Sequence, residues 1–408
     1  MRIAFVVTEF PALSETFVLN QITGLMDQGH EIDIHADRPR RIAAHPDYFT
    51  YKLASRVYYR IWIPKNTSKR ILKALWLFAT NAHKNMGATL RSMTPTRIGS
   101  GDALLRQFYE AVPYLGRPRY DAIICHFGEN GIRLANLKRL GAVQGRLLTF
   151  FHGADITRYV IAHSERVYDE LFREGALFLP ISERWKHRLI ELGCAPAKIR
   201  VHHMGIDTAR FVFQPRQEGA DSHLRLVSVA RLVEKKGLRY AIDAVSQLQL
   251  PTGMKLTYEI IGDGPLHDGL TRQVAELGLQ DRVKLSGWQD QAYVVAALAA
   301  SHVLLAPSVT AKDGDQEGIP VSLMEAMAAG LPVVSTFHSG IPELIEDGVS
   351  GLLVNEADPA ALASAIERLL ADPALRLSIA LGARALVESR WNIKALNQSL
   401  ALLCASPA

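Results

Sequence analysis

KDGDQEGIPVSLMEAMAAGLPVVST, residues 312–336, carries a loop, a helix and a strand in one run. Pro320 suits a first helical turn, Gly330 suits the C-cap, and Pro332 blocks continuation before a strand at Pro332–Ser335. Glu317 precedes this helix, and Glu325, eight residues on, lies inside it. Met324, Ala328 and Ala329 are small or flexible side chains suited to close packing of helix on sheet. A helix that opens just behind a strand offers free backbone N–H groups and a positive dipole end to an anion. Phosphate alone would not explain a carboxylate there, whereas sugar hydroxyls donate to one. Taken singly, either glutamate is an ordinary solvated helix residue.

The same alternation extends outward in both directions. Ile3–Val7 reads as a strand, Glu15–Gln28 as a helix with Phe17, Val18, Ile22, Leu25 and Met26 as its apolar stripe, and Glu31–His35 as a second strand. Ala122–His126, Arg146–Phe151 and Ala176–Pro180 follow. A second cycle runs through Leu224–Val229, Leu256–Ile261, Val283–Leu285, Val303–Ala306, Pro332–Ser335 and Leu352–Val354. The polar stretch Phe213–His223 between the cycles reads as a linker. The pattern predicts an α/β chain of two doubly wound Rossmann-like domains facing a cleft. We expect one domain over 1–205, a second over 206–385, and a helix over 386–408 packing back on the first. Ligands of such sheets bind beyond the carboxyl ends of the strands, which here means the cleft.

A chain of 408 residues, 48% hydrophobic and 21% charged, is long enough for two cores and too apolar for disorder. Cys125, Cys194 and Cys404 are too few and too scattered for a disulfide framework or a metal knuckle. The start, MRIAFVVTEF, lacks the long apolar region of a signal peptide, and no window approaches a membrane span. We expect a cytoplasmic protein, attached at most to the inner face of the cell membrane.

The net charge of +5 is unevenly spread. Residues 38–100 hold thirteen Lys/Arg and one acid, Asp47, a local +12 against −7 for the remainder. Tyr58, Tyr59, Trp62, Leu72, Leu75, Trp76 and Phe78 are interleaved with those cations. Nucleic acid, an anionic bilayer or a phosphorylated ligand would each suit bases beside aromatics. No helix-turn-helix, zinc-finger or RNP-like signature accompanies them, so nucleic acid is not expected. An anionic bilayer and a plain solvated helix face remain equal readings.

Other residues with chemical potential sit at strand ends. SVARLVEKKGLRYAIDAV places Arg231 at a strand end and Lys236 just before Gly237 at a helix start, where two cations can converge on a diphosphate. Without the glutamates, an ordinary charged surface loop would be the better reading. IGDGPL (Ile261–Leu266) is a glycine turn but not GxGxxG, and GxxxxGK[ST] is absent. FFHGADITRY and CHFGENG put His152 and His126 at neighbouring strand ends, each followed closely by a glycine, with Asp155 nearby. A single such histidine is usually structural; two raise the case for a site. No HxxxH or HExxH supports a metal. Ser14 and Thr16 open the first helix, either as caps or as phosphate donors. Asp313-Gly-Asp315 reads as a loop acid pair, with metal ligation the lesser alternative.

In this order, HGAD, the passage LIELGCAPAKIRVHHMGID within 182–207, ARLVEKKG, IGDGP, Glu317–Glu325 and SGIPELIEDGVSGLLV (339–354) are specific. With them, the chain resembles over nearly its whole length the retaining glycosyltransferases of family 4, which have the GT-B fold. FPALSETFVLNQI and DGDQEGIP look most like the colanic-acid-type exopolysaccharide transferases. The resemblance implies a UDP- or GDP-sugar donor and a glycan or lipid-linked glycan acceptor. It implies that Arg231 and Lys236 bind the diphosphate, Glu325 the ribose, and Glu317 with Gly318 and Ile319 the donor sugar. His152 would approach the sugar from the other domain, with Glu317 and His152 the catalytic pair. Gly287 and Trp288 form a better base pocket than Gly262. Family members often carry Gly-Gly where Ser14-Glu15-Thr16 stands here. Retention without a placed nucleophile implies front-face attack, with no metal or other cofactor required. Two alternatives remain: a glycosidase using Glu317 and Glu325, and a catalytically silent transferase-like scaffold of a polysaccharide-assembly complex.

Overall fold

Strands buried on both faces read as unbroken apolar runs, and the IAFVV of the first strand and the AIICH of the fourth are fully buried. The computed structural model describes residues 1–12, 16–39, 45–94, 105–215 and 222–406. The first sheet comprises β1 (Arg2–Glu9), β2 (Glu31–Arg38), β3 (Val57–Tyr59), β4 (Ala122–His126), β5 (Arg146–Phe151) and β6 (Leu177–Pro180). The second comprises β7 (His223–Val229), β8 (Lys255–Ile261), β9 (Val283–Gly287), β10 (Val303–Ala306), β11 (Val333–Thr336) and β12 (Leu352–Val354). Their orders are β3-β2-β1-β4-β5-β6 and β12-β11-β10-β7-β8-β9, and every pairing is parallel. Both are doubly wound α/β sheets, and this is the GT-B architecture.

In each sheet the chain walks outward along three strands and then crosses back, so the winding reverses between β1 and β4 and between β7 and β10. A crevice opens beyond the carboxyl ends at such a reversal. His126 ends β4, His152 follows β5, and Arg231 follows β7.

One strand escaped the sequence pattern. β3, three residues at the sheet edge, pairs with β2 through Ile34–Val57, His35–Tyr58 and Ala36–Tyr59. Three residues are too few to display a period of two, and its tyrosines read as aromatics among cations. Ser14, part of the linker (216–221), and 40–44 and 95–100 of the basic segment lie outside the described residues.

The last helix, Ile393–Ala405, crosses to the first sheet's side. Leu400 and Cys404 are buried in that sheet's core. The Asn397 amide donates to the Asn20 carbonyl (3.0 Å), and His202 Nε2 pairs with the Leu396 carbonyl (3.1 Å). Residues 386–390 belong instead to the preceding helix, Pro373–Arg390.

Behind β7, Gly237 precedes the helix Leu238–Gln247 in a left-handed conformation (φ 62°). A Cβ there would stand 1.8 Å from the Pro307 carbonyl oxygen, which belongs to the loop after β10. The loops after β7 and β10 are thereby pressed together. Gly237→Ala combines a positive φ with a backbone clash and should cost about 2 kcal/mol or more in urea unfolding.

Candidate functional site

Three consecutive side chains of the β7 loop grip the loop that precedes the helix Val321–Ala328. The Glu234 carboxylate accepts the Lys312 N–H (3.2 Å). Lys235, itself buried, pairs with Asp315 (3.1 Å) and donates to the Gln316 carbonyl (3.3 Å). Lys236 forms a 2.5 Å ion pair with Glu317. Burial alone would raise the Glu317 pKa, but Lys236, Lys235 and Arg231 overcome it and hold the carboxyl down at about 2. Burial lowers the Lys236 pKa, with the Glu317 charge opposing it. Glu317 is therefore ionised throughout the neutral range. Arg231 is exposed at the rim and, among the described residues, takes part in no ion pair.

The sequence reading sent Lys236 and Glu317 to different parts of a ligand; the structure brings them into direct contact. It passed over Lys235, whose pairing with Asp315 leaves that carboxylate engaged. Asp313 in turn accepts the Asp315 N–H (3.1 Å) and bonds Arg158 across the cleft (3.4 Å).

His338, also missed, positions Glu317 from behind. It accepts the Glu317 backbone N–H at Nε2 (3.0 Å) and donates from Nδ1 to Glu356 (2.6 Å). The other Glu356 oxygen accepts the Thr310 N–H (2.8 Å). His338 follows β11 and precedes a glycine by two residues, nearly the pattern that singled out His152.

Past Glu317, the N–H groups of Gly318 and Ile319 donate to no acceptor among the described residues. Both stand just before the helix Val321–Ala328, where an anion or a hydroxyl oxygen is favoured. The Ile319 side chain is buried against Gly340 and Leu323, so only its backbone is offered. Glu325 lies within that helix, partly buried. Burial pushes its carboxyl up to about 7, against a hydrogen bond from Gln291. Gln291 opens the helix behind Gly287 and Trp288, which links that loop to Glu325. Trp288 is half exposed, and the Gly262 N–H donates to the Gly287 carbonyl (2.8 Å), joining the loops after β8 and β9.

The first domain meets this site through backbone. A Cβ on Gly318 would lie 2.6 Å from the His152 carbonyl oxygen, and one on Gly153 2.9 Å from that of Gln316. Arg184 donates to the Gln316 side chain (3.1 Å). The Glu343 carboxylate accepts the N–H groups of Glu183 (2.8 Å) and Arg184 (3.1 Å), capping a helix of the opposite domain.

His126 Nδ1 and His152 Nε2 are 3.0 Å apart, and burial keeps both rings neutral, His152 at about 3. His126 Nε2 is buried and unpaired. We assign the shared proton to His126 Nδ1, which leaves its Nε2 a bare acceptor rather than an orphaned N–H. His152 then keeps its proton on Nδ1. Phe17 packs on both rings, and Thr16 precedes it as the first residue of that helix. Asp155 is spent on the backbone: it accepts the N–H groups of His152 and Gly153 (both 2.9 Å) and of Gly128 (3.1 Å). It holds the loop that carries His152 in shape.

Two facing α/β domains bring a cationic loop, an ionised glutamate and the unpaired N–H groups of Gly318 and Ile319 together at the cleft. Residues 14–210 match the model of Glycosyltransferase Family 4, and residues 213–385 that of Glycosyl transferases group 1. The amylovoran biosynthesis glycosyltransferase AmsK of Erwinia amylovora is 40% identical over 397 residues, 96% of each chain. WcaL of Salmonella typhimurium, whose name assigns it to colanic acid biosynthesis as a glycosyltransferase, is 40% identical over 411 residues, 99% of each chain. Anabaena HepE, solved with UDP and glucose, shares the fold over 100% of both chains at a TM-score of 0.72 and 19% identity. The chain belongs to this glycosyltransferase family.

The raised Glu325 pKa sets a signed expectation. A carboxyl at about 7 when folded and at its ordinary 4.5 when unfolded destabilises the fold above pH 7, a cost relieved as pH falls from 7 to 4.5. Glu325→Gln should unfold at higher urea than wild type at pH 8, and the advantage should shrink toward zero near pH 4.5. An equal gain at both values would remove the assignment.

Proposed function

We propose that this protein is a retaining transferase that moves a sugar from a UDP- or GDP-sugar to a glycan intermediate of exopolysaccharide assembly, lipid-linked at the inner face of the membrane. The observation that carries the reading is the partly buried Lys236–Glu317 pair beside Arg231 and the free N–H groups of Gly318 and Ile319. A diphosphate takes Arg231, Lys236 and the helix N-terminus; donor-sugar hydroxyls take the ionised Glu317; the ribose takes Glu325. His152, protonated at Nδ1, donates to the sugar from across the cleft. The relatives named for amylovoran and colanic acid biosynthesis, matched over nearly their full length, support the exopolysaccharide setting.

In the reaction the anomeric C–O bond to the diphosphate breaks and a bond to the acceptor oxygen forms on the same face. The acceptor's proton passes to the departing phosphate oxygen. Arg231, Lys236 and the helix N–H groups stabilise the charge that develops on that phosphate, so the reading requires no metal. Closure of the two domains excludes water and limits donor hydrolysis. A glycosidase has no use for three cations around Glu317, and a silent scaffold has none for a free Arg231 at the rim.

Calorimetric titration with UDP and GDP in EDTA tests the donor site. One nucleotide should bind, and Arg231→Ala should weaken it by about tenfold or more. Glu317→Gln should retain nucleotide binding while transfer falls below detection. Unchanged affinity in Arg231→Ala, or full transfer by Glu317→Gln, would remove the respective role. The anomeric configuration of the product, read by NMR, tests retention.

A further inference from the structure

We propose that the outward face of the helix Thr67–Asn81, with Trp62 beside it, docks on an anionic lipid bilayer. This deepens the reading above, in which a lipid-linked acceptor is met at a membrane. The helix carries two apolar stripes. Ala74 and Leu77, with Arg70, are buried on the inner side. Leu72, Leu75, Trp76 and Ala79 follow the i, i+3, i+4, i+7 spacing on the opposite side, and all four are exposed. Leu72 is 71% and Trp76 62% exposed, and Trp62 is 69% exposed. An exposed apolar stripe opposite the buried one marks a surface that another body covers.

Charge selects the cover. From residue 57 to 94 the sequence has no acid, while Lys69 and Lys73 flank the outer stripe and Lys65 precedes the helix. Among the described residues none of these three lysines is in an ion pair. Lys73 instead donates to the Trp62 carbonyl (2.7 Å) and lies 5.2 Å from its ring centroid. Tryptophans beside unpaired lysines, around an apolar stripe, match the headgroup region of an anionic leaflet. Fifteen residues span about 22 Å, short of a bilayer core, so the helix lies along the surface. Among the described residues no helix is long and apolar enough to cross a membrane.

Co-sedimentation of the full chain with phosphatidylcholine vesicles, with and without phosphatidylglycerol, tests this. Binding should require phosphatidylglycerol and weaken with salt. Tryptophan emission should shift to the blue in wild type and not in Trp62→Phe/Trp76→Phe. Lys69→Ala and Lys73→Ala should each lower the partition coefficient about fivefold, and Leu72→Glu/Trp76→Glu about tenfold or more. Three results overturn the proposal: no binding to phosphatidylglycerol vesicles, undiminished binding by Leu72→Glu/Trp76→Glu, or a soluble oligomer that this variant dissolves without any vesicle binding. Trp62, Lys69, Leu72 and Trp76 are exposed and Lys73 partly so, and circular dichroism checks that each variant folds. UDP and GDP binding, measured on the same preparations, reads the donor site separately, so either reading fails without the other.

Discussion

The Lys236–Glu317 ion pair is the contact on which the cleft is organised. Two charges taken from water rarely gain net stability by pairing, since desolvation consumes most of the attraction. Their value is positional. Lys236 ends a tight turn fixed by Gly237 against Pro307, and Glu317 ends a loop already held by Lys235 and backed by His338. Loops from opposite sides of the β7/β10 reversal are thereby fastened together at the place where the sheet leaves a crevice. Removing either charge strands the other in a partly buried setting, so the pair is harder to lose than to keep.

The second constraint is the absence of side-chain bulk between the domains. Gly153 and Gly318 let two backbones approach, bringing the His152 carbonyl to the residue after Glu317. Around this contact the partners are polar and partly exposed: Arg184 with Gln316, Arg158 with Asp313, and Glu343 on the helix Glu183–Glu191. Such contacts contribute little each in solvent. They form a polar seam, unlike the apolar packing of the helix Ile393–Ala405 on the first domain's core. The molecule thus has a firm join on one side of the cleft and a lighter one at the site.

Much of this architecture was legible because parallel strands buried on both faces write themselves as apolar runs, as in β1, β4 and β5. The edge strand β3 did not, since its three residues leave no periodicity. The candidate residues were legible by place: Arg231, Lys236 and Glu317 each stand between a strand and the helix that follows it. Their partners were not. Lys235 was passed over, and a one-residue step from Lys236 turns it toward Asp315. His338 sits 21 residues from the amide it binds, and no local pattern announces a contact made by tertiary packing. Asp155 was read as a cleft residue, but it is buried, and its oxygens accept backbone N–H groups of its own loop and of Gly128.

The titration behaviour of the site bears on where the acceptor's proton goes. A useful base has a pKa near the working pH. Glu317, at about 2 and neutralised by Lys236, is too weak a base for a hydroxyl. His152, at about 3, and His126, which burial also holds well below the ordinary histidine value, are no better. Glu325 has the suitable value of about 7, but it sits a full turn into its helix and is engaged by Gln291. Among the described residues none of these groups combines basicity with a free place beside Glu317. A departing phosphate held by Arg231 and Lys236 would bring its own oxygen to that place, and this favours a reaction in which the leaving group takes the proton.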